Sequence, residues 1–132
     1  MKDGRFEVLY AEDEEDDVLF MRRALEASCA SVSLTVAHDG EEAIRLLSDD
    51  WRPDWLVLDL KMPRRSGLDV LKWVRGQEAL KDLPVTVLSS SAEQSDMARV
   101  QELGIVEYIV KPVNYEGLMS VIRRLCSRWG VA

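Results

Sequence analysis

The sequence of 132 residues has few side chains that bind soft metals. It contains one histidine, His38, and two cysteines, Cys29 and Cys126, with no CxxC spacing and no histidine cluster. This composition argues against a metal site built from histidine and cysteine. We therefore predict that both cysteines are reduced and pack beside their apolar helical neighbours.

Long apolar runs are missing as well. The N-terminus, MKDGRFEV, lacks the stretch of about 7–15 apolar residues that follows the basic start of a signal peptide. No later run approaches the roughly 18 apolar residues that would cross a bilayer. We expect a cytoplasmic protein that has no membrane partner.

Positive charge is also scarce. Lysine and arginine total 17 against 24 aspartate and glutamate residues, which gives a net charge of −7. The arginine pairs at 22–23, 64–65 and 123–124 are separated among many acidic residues. A basic face that neutralises nucleic-acid phosphates is therefore not expected, whereas a cation or a basic protein surface suits the chain better.

The chain contains no repeat, no low-complexity tract and no flexible linker, so we predict one domain over residues 1–132. Five short runs rich in β-branched or aromatic residues predict strands, and five segments of helical spacing alternate with them. The predicted strands are Phe6–Ala11, Val32–Ala37, Trp55–Leu58, Val85–Leu88 and Tyr108–Val110, and the predicted helices are Asp16–Ala27, Glu41–Leu47, Leu68–Arg75, Gln94–Leu103 and Tyr115–Trp129.

This alternation predicts an α/β fold with right-handed crossovers and helices on both faces of one sheet. For five such units we expect a doubly wound, five-stranded parallel sheet with strand order 2-1-3-4-5, the flavodoxin-like (βα)5 arrangement. In such sheets ligands bind at the carboxyl ends of the strands, near the point where the strand order reverses. The residues that follow each strand are therefore the candidates for function.

Acidic, hydroxyl and basic residues occupy these positions. Glu12 and Asp13 follow the first predicted strand, Asp59 follows the third, Ser89 the fourth and Lys111 the fifth. Three carboxylates at one edge repel each other unless a cation neutralises them, and a site with only oxygen ligands favours Mg²⁺. A cation beside a hydroxyl and a lysine indicates phosphoryl chemistry, with one carboxylate as the nucleophile.

Four segments resemble the receiver domains of two-component response regulators, of which the chemotaxis response regulator is the smallest familiar example. They are VLYAED (Val8–Asp13), LVLDLKMPRRSG (Leu56–Gly67), LPVTVLSSSA (Leu83–Ala92) and YIVKP (Tyr108–Pro112). The ending KPVNY (Lys111–Tyr115) also resembles the small stand-alone receivers that act with bacterial phytochrome kinases. The resemblance covers nearly the whole chain.

The resemblance implies that Asp59 is the phosphoacceptor. It also implies that Mg²⁺ is held by Asp59, by the acidic pair Glu12 and Asp13, and by the backbone carbonyl of Lys61. A lysine two residues after the acceptor departs from the small or amide side chains that are common there, and this change bears on the lifetime of the phosphate.

The same resemblance implies that Ser89 and Lys111 contact the phosphoryl group and that Ser89 and Tyr108 form the switch. Serine stands at position 89 where many receivers have threonine. A cis peptide bond often precedes the corresponding proline in this family, so the resemblance leaves open whether the bond between Lys111 and Pro112 is cis.

The function implied is signal transduction without catalysis on an independent substrate. The receiver would take a phosphoryl group from the phosphohistidine of a histidine kinase or phosphotransfer protein. It would then bind a downstream protein, or a second copy of itself, through the fourth helix, fifth strand and fifth helix. We expect no output domain, so the protein would signal by contact or within a phosphorelay. A fragment of a larger regulator or hybrid kinase, and a degenerate receiver that only binds a partner, remain open.

Two proteins of other classes fit the residues less well. A flavin-binding electron carrier needs a loop of hydroxyls and glycine after the first strand, whereas the acidic run at residues 12–17 would repel a phosphate. A phosphatase of the haloacid dehalogenase type has a second aspartate two residues after its nucleophile, where this chain has Lys61 after Asp59. The acidic residues Glu14–Asp17 are expected to stabilise the first helical turn through the helix dipole.

Overall fold

The computed structural model describes residues 5–131, and in that range five strands alternate with five α-helices. A short 3₁₀ helix, Glu78–Leu80, precedes the fourth strand and was not predicted. The strands are β1 Phe6–Ala11, β2 Val32–Ala37, β3 Trp55–Leu58, β4 Val85–Ser89 and β5 Glu107–Val110, and the helices are α1 Glu15–Ser28, α2 Gly40–Ser48, α3 Gly67–Gly76, α4 Gln94–Glu102 and α5 Tyr115–Trp129.

All strand pairs are parallel, and the strand order is β2-β1-β3-β4-β5. The predicted doubly wound, flavodoxin-like fold is therefore confirmed. Ala11 lies opposite both Ala37 of β2 and Leu58 of β3, so these three strands end at one level. The residues that follow β1 and β3 consequently meet at the same edge, where the strand order reverses.

Two apolar clusters cover the two faces of the sheet. Leu9 and Leu56 point into the cluster formed with α2, α3 and α4, whereas Val8 and Val57 point into the cluster formed with α1 and α5. All four residues of β3 are buried, because a central parallel strand is covered by helices on both sides. This explains why the strands appear in the sequence as continuous apolar runs.

The prediction that the two cysteines are reduced is wrong in this structure. A disulfide joins Cys29, at the C-terminal end of α1, to Cys126 of α5, and their Cα atoms are 5.8 Å apart. No free cysteine remains in the part of the chain that the structure describes. The pairing was not visible in the sequence because the two residues are 97 positions apart and meet only when α1 and α5 pack side by side.

None of the helices within residues 5–131 is long and apolar enough to cross a membrane.

Candidate functional site

Three carboxylates meet at the carboxyl edge of the sheet. Backbone hydrogen bonds hold two of them, because the Glu12 N–H donates to the Ala37 carbonyl at 2.9 Å and the Asp59 N–H donates to the Ala11 carbonyl at 3.1 Å. Oxygens of Glu12, Asp13 and Asp59 lie within 4.8 Å of one another. The sequence prediction of an acidic cluster at this edge is therefore met in the fold.

Lys111 supplies the positive charge beside these carboxylates. Its Nζ lies 2.7 Å from Glu12 Oε1, 2.8 Å from Asp17 Oδ2 and 3.8 Å from Asp59 Oδ1. Burial alone would lower the pKa of Lys111, but the hydrogen bonds to Asp17 and Glu12 outweigh it, and the pKa is raised. The lysine is therefore a fixed cation at neutral pH. The Lys111–Pro112 bond is trans, so the cis bond that the resemblance left open is not found here.

Asp59 is buried and incompletely neutralised. Its side chain is 4% exposed, and its Oδ1 accepts no hydrogen bond. Burial, followed by the charge of Glu12, raises the pKa of Asp59 to about 7, and Lys111 opposes this shift. An oxygen atom that is buried without a partner is costly unless something binds it.

Glu12 is fully buried, and burial raises its pKa despite hydrogen bonds from Lys111 and from the backbone N–H of Glu14. Two buried carboxylates, together with the partly exposed Asp13, carry more negative charge than one lysine offsets. Oxygen ligands with an unpartnered Asp59 atom among them suit a hard divalent cation. The residues present thus fit the predicted Mg²⁺ site.

The loop after Asp59 is fixed by a close approach to α3. The Gly67 N–H donates to the Leu60 carbonyl at 3.0 Å, and a Cβ atom at Gly67 would collide with the backbone of Asp59 and Leu60. Glycine is therefore required where α3 begins, against the backbone of Asp59 and Leu60. The ammonium of Lys61, in the same loop, lies 3.6 Å from Asp96 Oδ2 in α4. The role of the Lys61 carbonyl as a metal ligand remains a prediction.

The two predicted switch residues share one neighbour, Ser91. The buried Ser89 hydroxyl accepts a hydrogen bond from the Ser91 N–H at 3.2 Å, and the Tyr108 hydroxyl donates to the Ser91 carbonyl at 2.8 Å. The Ser91 hydroxyl in turn donates to Asp96 Oδ2 at 2.7 Å. The turn after β4 therefore connects Ser89, Tyr108 and the first turn of α4.

Sequence reasoning missed four residues of this site. Ser91 and Asp96 form the connection to α4, and Asp17 binds Lys111 rather than serving only the helix dipole. Tyr10 donates its hydroxyl to Glu12 Oε1 at 3.1 Å. The only available signal was for Tyr10, since residues two apart in a strand point to the same face.

Comparisons with known proteins agree with this geometry. The response regulator receiver domain family matches residues 8–123. The response regulator MprA of Mycobacterium tuberculosis is 37% identical over 121 residues, which are 92% of this chain and 50% of MprA. The chain thus spans about half the length of the curated relatives it matches.

Two solved structures share the fold over nearly all of the chain. The phosphorylated cyanobacterial phytochrome response regulator RcpA superposes with a TM-score of 0.89 at 28% identity, covering 96% of this chain and 94% of RcpA. The Mn²⁺-bound response regulator Rcp1 gives a TM-score of 0.86 at 28% identity, covering 93% of each chain. With the family match over residues 8–123 and the acidic edge described above, the chain belongs to the response regulator receiver domain family.

Proposed function

We propose that this receiver domain accepts a phosphoryl group on Asp59 with Mg²⁺ bound at the neighbouring carboxylates. Receiver domains work with histidine kinases in two-component signalling, so the donor would be the phosphohistidine of a kinase or phosphotransfer protein. The observation that carries the proposal is the buried, unpartnered oxygen of Asp59 beside Glu12, Asp13 and Lys111.

The chain's own residues support this transfer in distinct ways. An Asp59 oxygen attacks phosphorus, the P–N bond to the donor imidazole breaks, and its electron pair returns to the imidazole nitrogen. The ammonium of Lys111 and the hydroxyl of Ser89 would donate to phosphoryl oxygens. Mg²⁺ held by Glu12, Asp13, Asp59 and the Lys61 carbonyl would offset the charge of the carboxylates and of the incoming anion.

Two structural relatives support the proposal by analogy. RcpA was solved as a phosphorylated protein, and Rcp1 was solved with Mn²⁺, an oxygen-preferring divalent ion. Both cover at least 93% of this chain. A similar acidic edge in this chain is therefore expected to hold a divalent ion and a phosphoryl group.

Phosphorylation can be tested with acetyl phosphate, a small phosphodonor, and intact-mass measurement. We expect one phosphoryl group per chain with Mg²⁺, none with EDTA, and none in Asp59→Asn. Asp16→Asn is the matched control, because Asp16 is an exposed acid in the first turn of α1 and should leave labelling unchanged. Labelling that survives EDTA, or that persists in Asp59→Asn, would contradict the proposal.

We further propose that the phosphoryl group shifts an existing equilibrium of the face formed by α4, β5 and α5. Drawing the Ser89 hydroxyl towards the phosphoryl group would remove the acceptor of the Ser91 N–H and loosen the contact with Tyr108. α4 buries only Val100, whereas α5 buries three residues, so α4 is the element held less firmly. A downstream protein or a second copy would bind this face.

This switch can be followed by amide hydrogen exchange with beryllofluoride, a phosphoryl mimic. We expect the exchange rates of α4 and of Tyr108 to change in the wild type and to change much less in Ser89→Ala. An exchange response confined to Asp59, or a response that Ser89→Ala leaves intact, would contradict the proposed switch.

The remaining parts of the proposal concern the role of the protein in the cell. We propose that residues 1–132 act as a single receiver domain in the cytoplasm, without a reaction on a separate substrate. Signalling would then occur by contact with a protein or as a step in a phosphorelay. The purified phosphorylated protein can be mixed with candidate kinases or phosphotransfer proteins and phosphoryl transfer to them measured. Transfer indicates a phosphorelay intermediate, and no transfer indicates an end-point regulator.

A further inference from the structure

The disulfide lies at the end of the molecule away from the carboxylates. Cys29 follows α1 just before β2, at the level where the Phe6 N–H at the start of β1 donates to the Ser31 carbonyl. The carboxylates and Lys111 follow the ends of their strands, at the opposite edge of the sheet. The disulfide is therefore separate from the phosphorylation site proposed above.

The two cysteines differ in their access to solvent. Cys126 is completely buried in the α1–α5 cluster, whereas Cys29 is only partly buried. Cys29 borders an open cleft of about 620 Å³, which Cys126 does not line. A reagent that enters the cleft thus meets Cys29 first.

The cleft has a polar lining with a net positive charge. Arg5 and Arg22 lie on it, opposed by one carboxylate, that of Glu26, and the hydroxyls of Ser31 and Ser33 add hydrogen-bonding groups. Basic side chains favour the approach of an anionic thiol and stabilise its thiolate form. The lining therefore suits a small thiol that carries carboxylates.

We propose that Cys29 is a site of thiol–disulfide exchange with an anionic low-molecular-weight thiol of the glutathione type. The thiolate attacks the sulfur of Cys29, the bond from Cys29 to Cys126 breaks, and its electron pair passes to the sulfur of Cys126. Because Cys126 is buried among apolar side chains, its sulfur takes up a proton. The product is a mixed disulfide on Cys29 and a thiol on Cys126, and attack by Cys126 reverses the step.

Opening the bond removes a covalent link between the end of α1 and α5, at two cysteines that are 97 residues apart in sequence. The C-terminal end of the chain packs at the same place, since the Ala30 N–H donates to the Val131 carbonyl at 2.6 Å and the Val131 N–H donates to the Cys126 carbonyl at 2.9 Å. We expect the exchanged form to melt at a lower temperature and to exchange amides faster at the C-terminal ends of α1 and α5. Acetyl phosphate labelling should be unchanged because the acceptor lies at the other edge.

The test is exchange of the full chain, purified without reductant, with reduced glutathione, followed by peptide mapping under non-reducing conditions. We expect the starting protein to contain the Cys29–Cys126 link and the product to carry one glutathione on the peptide with Cys29. A starting protein with two free thiols, or an adduct on Cys126, would overturn the proposal. This result does not depend on whether any variant folds.

Adjacent arginines provide a matched pair of variants. Arg22 lines the cleft and Arg23, also exposed, does not. Arg22→Gln should slow the reaction with glutathione about threefold to fivefold, while Arg23→Gln leaves it unchanged. With 2-mercaptoethanol, whose thiolate carries one negative charge against a net two on that of glutathione, Arg22→Gln should slow the reaction less, and Arg23→Gln should again leave it unchanged. Equal rates for the two variants with glutathione would overturn the assignment of this cleft.

Discussion

Replacing Lys111 with methionine removes the positive charge on which Glu12 and Asp59 depend. The side chain of Lys111 is 18% exposed and that of Glu12 is fully buried, so their 2.7 Å ion pair is shielded from solvent. Removing one partner of a buried ion pair costs about 3–5 kcal/mol when the other charge stays in place. We therefore expect Lys111→Met to destabilise the protein strongly at neutral pH.

Protonation of the Glu12 carboxyl limits the loss of stability in Lys111→Met. Protonating a group with an ordinary pKa of 4.5 costs about 3.4 kcal/mol at pH 7, because each pKa unit is worth about 1.4 kcal/mol. The same step costs only about 0.7 kcal/mol at pH 5. A carboxyl whose pKa is raised by folding destabilises the folded state when the pH is above the pKa of the unfolded state. This loss of stability becomes smaller as the pH falls towards the pKa of the unfolded state. We expect a loss of about 2–3.4 kcal/mol at pH 7 and below about 1 kcal/mol at pH 5.

Urea unfolding in EDTA at both pH values measures these losses. Lys72→Met is the matched control, since Lys72 is exposed on α3 and its replacement should change the free energy of unfolding by less than about 0.5 kcal/mol at either pH. A loss in Lys111→Met that is equal at pH 5 and pH 7 would contradict this prediction, because it would show that the cost does not come from an uncompensated carboxylate. An undetectable loss at pH 7 would refute it as well.

Three other predictions follow from contacts near Asp59. Gly67→Ala should lower the free energy of unfolding by about 1–3 kcal/mol in urea and reduce labelling by acetyl phosphate. Gly76→Ala is the control, because the added Cβ meets no atom within 4 Å at the end of α3, and it should be neutral or stabilising by up to about 1 kcal/mol. Asp13→Asn should raise the melting temperature without metal and weaken Mg²⁺ binding in a calorimetric titration, because it removes charge repulsion with Asp59. A lower melting temperature without metal would contradict this repulsion. Lys61→Asn should shorten the lifetime of the phosphorylated protein if Lys61 leaves Asp96 to shield the phosphoryl group, and a longer lifetime would show that the lysine assists hydrolysis.

The sheet and the acidic edge were predictable from local sequence. Buried parallel strands have apolar residues on both faces, and the first three predicted strands have the observed bounds. Glu12, Asp13 and Asp59 were recognised because each is the first or second residue after such a strand. A parallel sheet places these positions at one edge regardless of the details of side-chain packing.

Features that depend on helix rotation and on distant pairing were not predictable. Asp17 had a sufficient local explanation as an acid in the first helical turn, and its bond to Lys111 depends on how α1 packs against the sheet. The Cys29–Cys126 pair requires two helices to meet after 97 residues. Ser91 and Asp96 are polar residues of a turn and a helix end, and only the fold shows that they connect Ser89 to α4.

The proposed function depends above all on Asp59 as the residue that receives the phosphoryl group. It is tested most directly by treating the protein with acetyl phosphate and Mg²⁺, reducing the acyl phosphate with borohydride, and locating the resulting homoserine by tandem mass spectrometry. We predict modification at Asp59 alone, because its buried carboxylate lies beside both Lys111 and the acidic pair. Modification at Asp13 or at another acidic residue, with Asp59 unmodified, would contradict it.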